Sequence, residues 1–103
     1  MTTQDKLNAF AARVTEETLE VYRRRFPDST YDFTQDATAT VHIGKKYARV
    51  DVGRSGKYMV DLATEEILGI KAYGVPNKKK VYGTLDTVEN WHWGDYSAIR
   101  KAA

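Results

Sequence analysis

Cysteine is absent from this 103-residue chain, and histidine and proline occur only twice each. Without cysteine there is no disulfide framework, no thiolate metal site and no cysteine nucleophile. His42 and His92 stand far apart in sequence, and neither has a second ligand at a recognised metal spacing. No metal centre or cofactor site is therefore expected. Also lacking are a phosphate-cradling Gly-rich loop and a Ser nucleophile elbow, so the chain reads as a non-enzyme. No apolar run approaches the ~20 residues that a bilayer-spanning helix requires. The opening MTTQDK turns amphipathic without the apolar block of a secretory signal, which points to the cytoplasm and away from a membrane partner.

What is present suits one globular domain. Hydrophobic residues make up 42% and charged residues 29%, ordinary values for a chain with one modest core. Sixteen basic residues oppose fourteen acidic ones, a balance too even to argue for nucleic-acid binding by itself. The distribution says more, because Arg23-Arg24-Arg25 and Lys78-Lys79-Lys80 hold six of the 16 bases. Seven tyrosines and two tryptophans supply material for both core and recognition surfaces.

Leu7, Phe10, Ala11, Val14, Thr18, Val21 and Tyr22 recur at three- and four-residue spacing and predict a helix over 3–26. Thr2 with Asp5 makes an acidic capping box, three arginines suit the negative end of the helix dipole, and Pro27 stops the helix. Strands are predicted over 38–43, 46–53, 57–62, 66–73 and 80–85. Their inward residues are Ala39, Val41 and Ile43, then Ala48, Val50 and Val52, then Val60, then Leu68, Ile70 and Ala72. A Gly44-Lys45 turn puts Val41 opposite Ala48. An Arg54-Ser55-Gly56 loop puts Val50 opposite Val60 and Arg49 opposite Asp61. A turn over Ala63-Thr64-Glu65 pairs Val60 with Leu68, and Val75-Pro76-Asn77-Lys78 has turn chemistry. Asp86 with Glu89 predicts a short helix over 87–92. The fold expected is α+β: a long N-terminal helix on one face of a four- to five-stranded, mainly antiparallel meander, with a short C-terminal helical element.

The motifs KYARVDVG, GKYMVDL, GIKAYG and YGTLDT, spread over roughly residues 46–96, resemble a segment of small, mostly uncharacterised proteins of actinobacterial viruses. The chain departs from that pattern at Glu65, where the resembling proteins usually carry Gly. The resemblance implies a viral source, a host cytoplasm as the location and an accessory role by binding, with inhibition of a host defence system as one form. It implies no catalytic residues.

Two surfaces follow from this reading. Trp93, Tyr96, Tyr82 and Tyr73 form a candidate protein-binding patch, since Trp and Tyr are enriched at interface hot spots. Here Trp91 is assigned to the core and Trp93 to the rim. The alternative is a nucleic-acid-binding open sheet face carrying Tyr47, Arg49, Lys57 and Lys71, extended by a Lys78, Lys79, Lys80 loop. Against that alternative, Asp51 and Asp61 lie on the same face, where cross-strand ion pairing with Arg49 and Lys57 explains them without paired-carboxylate catalysis.

Overall fold

Helix α1, Thr3–Arg25, begins at the expected capping box, and the computed structural model describes it within residues 1–95 and 97–101. The Thr2 hydroxyl accepts from the Asp5 amide at 3.1 Å, and the Asp5 carboxylate accepts from the Thr2 amide at 3.1 Å. Arg23, Arg24 and Arg25 fill the last turn, where the dipole favours cations. Leu7, Phe10, Ala11, Val14, Thr18 and Val21 are its buried stripe, as the spacing predicts. A one-turn helix α2, Thr34–Ala37, follows and buries Ala37 completely.

Five strands then form an antiparallel sheet in sequence order: β1 Ala39–Ile43, β2 Tyr47–Val52, β3 Ser55–Asp61, β4 Glu66–Ala72 and β5 Val75–Thr84. Helix α1 lies mainly over β1 and β2. The Thr15 hydroxyl ties it to the sheet by accepting from the Ala39 amide at 2.8 Å. The fold is the expected α+β arrangement of one long helix on an antiparallel meander.

The registers differ from expectation in instructive ways. In the first hairpin Val41 pairs with Val50 and Ile43 with Ala48, around a Lys45-Lys46 turn. A slip of two residues keeps every side chain on its face; Ala39 and Val41 are partly buried, but Ile43 at the strand end is 51% exposed. In the second, Gly53-Arg54 is the turn, with Gly53 at φ +62°. Val50 pairs with Tyr58 but Asp51 with Gly56, so Lys57 is an extra, bulged residue. The bulge re-matches faces that a two-residue turn alone would have mixed.

The β4 phase is reversed. Val60 pairs with Ile67, which is fully buried on the helix side, while Leu68 pairs with Met59 on the opposite side. The cause is the Asp61–Glu66 connection: Glu65 takes φ +63° and its amide donates to the Asp61 carbonyl at 2.7 Å. The β4–β5 turn falls at Tyr73-Gly74, so Val75-Pro76-Asn77 already belongs to β5. Between the pairs Leu68–Val81 and Gly69–Asn77 three β5 residues, Lys78 to Lys80, face no partner. They form a bulge within an edge strand, not a loop.

The expected helix over 87–92 is a single 3-10 turn, Val88–Asn90, followed by a two-stranded ribbon of β6 Trp91–His92 and β7 Ile99–Arg100. Asp86 does not cap that turn, because its carboxylate pairs with Lys6 at 3.0 Å. The ribbon carries Trp93 into the core, where its ring stands edge-on to Phe10 at 4.7 Å and to Tyr58 at 5.3 Å. Leu7, Val14, Ala48, Val50, Val60, Ile67 and Leu85 complete that core.

Candidate functional site

Of the predicted protein-binding residues, Trp93 and Tyr82 meet at a ring-centre distance of 6.3 Å on the core side, and Tyr73 stands apart from them. Trp93 is 0% exposed and its indole N–H donates to the Val88 carbonyl at 2.9 Å, while Trp91 is only partly buried. The assigned roles of the two tryptophans are thus reversed. Two residues apart in extended backbone, the two rings share a side and stand 6.2 Å apart, and Trp93 is the one that reaches Phe10 and Tyr58. Tyr82 lies on the helix side of the sheet, 5.5 Å from the Trp91 ring. Tyr73 lies on the opposite side and is 63% exposed. Tyr96 lies outside the described residues.

The open sheet face is built around Asp51, a carboxylate only 6% exposed. Arg49, two residues back on the same strand face, donates to it at 2.9 Å. The Tyr73 hydroxyl donates to its other oxygen at 3.3 Å, reaching across Gly56, where a methyl group would come within 3.1 Å of the Tyr73 ring. The Arg49 guanidinium sits 4.4 Å from the centre of that ring. His42 Nε2 approaches Asp51 at 3.4 Å and the Thr40 hydroxyl at 3.4 Å. Both contacts fall on one ring nitrogen, so no hydroxyl–imidazole–carboxylate relay exists here. Hydrogen bonding to Asp51 raises the Arg49 pKa further, and this cation is committed to its neighbours rather than to a phosphate.

The other predicted nucleic-acid contacts are dispersed. Tyr47 is half-buried opposite Asp61, which accepts from the Ala63 amide at 2.8 Å instead of pairing with Arg49. Lys71, Lys78, Lys79 and Lys80 are exposed. Lysines and a proline on an edge strand also discourage pairing with another sheet, which accounts for Pro76, Lys78 and Lys79 without any ligand. Lys57 leaves the open face altogether: the bulge turns it to the helix side, into a cleft lined also by Tyr58, Lys80, Tyr82 and Asp95. Among the described residues no three histidine, aspartate or glutamate side chains gather as metal ligands.

One surface was missed by the sequence reading. Where α1 ends, Phe33 is surrounded by Tyr22, Phe26 and Tyr31 at ring-centre distances of 5.0, 5.6 and 4.9 Å. Phe26 remains 51% exposed and Tyr31 62% exposed. The Asp36 carboxylate raises the Tyr31 phenol above its ordinary pKa. Exposed Arg54, with Gly53, borders the adjoining groove. The available signal was the i, i+4 pair Tyr22 and Phe26 followed by aromatics in the connection to α2.

Aromatic side chains half exposed beside an arginine are the composition of an interface core and its rim. No protein family, curated protein or solved structure matches this chain.

Proposed function

We propose that this is a non-enzymatic binding protein that engages a protein partner through the Phe26, Tyr31 and Phe33 cluster and the adjoining Arg54. The observation that carries this reading is the half or greater exposure of Phe26 and Tyr31 around a common aromatic centre. Exposed aromatics of this size are costly to leave in water, and contiguous ones mark interaction surfaces. Arg54 favours a partner whose apolar contact is bordered by acidic groups. The resemblance to viral accessory proteins supports a bacterial host protein as that partner and inhibition of a host defence system as the action.

A nucleic-acid partner on the open sheet face is the weaker reading. Arg49 is held by Asp51, and Lys57 points into the cleft on the other side. Capture from actinobacterial lysate tests the choice, with wild type, Phe26→Ser/Tyr31→Ser and Lys78→Gln/Lys79→Gln compared with and without nuclease. The reading expects a nuclease-resistant, stoichiometric protein lost only with the aromatic variant. A nuclease-sensitive catch lost with the lysine variant would replace it with the nucleic-acid reading.

A further inference from the structure

We propose that the cleft between α1 and the helix-facing side of the sheet binds a small organic anion, anchored by Lys57 and Lys80 above the hydroxyls of Thr18 and Tyr58. The cleft encloses about 580 Å³, within the range of small-molecule sites. Sequence places it as a consequence of three local features. The β3 bulge turns Lys57 inward. The β5 bulge lets the Lys80 stem fold over Gly69, where a methyl group would sit 3.1 Å from the Lys80 Cβ and 3.3 Å from the Tyr82 hydroxyl. Gly94, against the α1 backbone, closes the third side.

The floor supplies the second, independent observation. Thr18 is 2% exposed and Tyr58 1% exposed, and neither hydroxyl has a hydrogen-bond partner among the described residues. Two such groups lining one cleft are costly, since each buried polar atom left unpaired sacrifices on the order of 1–3 kcal/mol. A bound acceptor answers both. Burial holds the Tyr58 phenol well above its usual range, so it stays protonated and can donate.

The charges select the ligand. The cleft lining carries Arg25, Lys57 and Lys80 against Asp36 and Asp95, and Asp95 is already met by Arg25 at 3.3 Å. Lys57 and Lys80 form no salt bridge among the described residues. Burial pushes the Lys57 pKa down, with Asp95 opposing, because the desolvated ammonium lacks a close counter-charge. A carboxylate or phosphate between the two ammonium groups supplies that charge, and the Tyr22 and Tyr82 rings wall a planar body.

The test is an amide NMR titration of the full chain with adenosine monophosphate, with 4-hydroxybenzoate and with neutral adenosine. Saturating shifts at Gly56, Gly69 and Gly94 with at least one anion, at a Kd below about 1 mM, are expected. The responding anion distinguishes a phosphate from a carboxylate head. Lys57→Gln and Lys80→Gln should each weaken binding about tenfold, the loss of one charge-assisted contact. Two variants are used so that a folding defect in one leaves the other decisive. The proposal is overturned if neither anion moves these amides, if adenosine binds as tightly, or if the folded variants bind as wild type does.

Discussion

Gly94 lies directly against the main chain of Glu17: a methyl group at its Cα would collide with the Glu17 carbonyl and stand 2.9 Å from a Val21 methyl. The neighbouring amide of Trp93 donates to the Glu17 carboxylate at 2.9 Å, and His92 Nδ1 approaches the same oxygen at 3.3 Å. Glu17 thus docks the C-terminal ribbon onto the middle of α1 by backbone contact and by charge.

Gly94→Ala should therefore be disproportionately destabilising. The obstructing atoms belong to a helix backbone that cannot yield locally, so a loss at the upper end of the ~1–3 kcal/mol typical of overpacking is expected. Urea unfolding monitored by tryptophan fluorescence measures it. A loss within experimental error would mean that the ribbon is not seated on α1.

Trp93→Ala should cost ~3–5 kcal/mol, as deletion of a buried indole does. Trp91→Ala should cost clearly less, because Trp91 is only partly buried against Tyr82. Thermal melts of the two variants compare them directly, and the reverse order would restore Trp93 to a rim position.

Glu65 should confer acid sensitivity. The Thr3 hydroxyl at 2.7 Å, then the Lys6 ammonium at 3.0 Å, lower its pKa from the ordinary 4.5. The folded state prefers the carboxylate, so its contribution is complete above the unfolded value and fades as pH falls through the lower folded value. Glu65→Gln should reduce stability at pH 7, with the gap to wild type narrowing below about pH 4.5. Glu65→Gly should be more stable than Glu65→Gln by roughly 1 kcal/mol, because it relieves a left-handed backbone. Denaturation of the three proteins at pH 7 and at acid pH decides both points.

The helix was legible in the sequence to within one residue, because a capping box, a 3.6-residue stripe and Pro27 all mark the same boundaries. The existence of the five strands of the main sheet was legible, unlike the C-terminal ribbon, but strand phase was not wherever both faces are apolar. In Ile67-Leu68-Gly69-Ile70 either parity reads as inward, and only the Glu65 turn decides in favour of Ile67. The Lys57 and Lys78 to Lys80 bulges had no local signal, since an extra residue changes no composition. The binding surfaces depended on those details. One bulge moved Lys57 to the other side of the sheet, and the ribbon buried Trp93. The Phe26, Tyr31 and Phe33 cluster arises from the fold of a connection that periodicity does not describe.

The partner surface is tested most directly by a photo-reactive phenylalanine analogue placed at Tyr31 in one protein and at Tyr73 in another, each irradiated in actinobacterial lysate. The two sites are comparably exposed, at 62% and 63%, but lie on different surfaces. Cross-linking from position 31 to one discrete protein, with none from position 73, is the predicted result. Cross-links to nucleic acid, or to a protein from position 73 alone, would contradict the account.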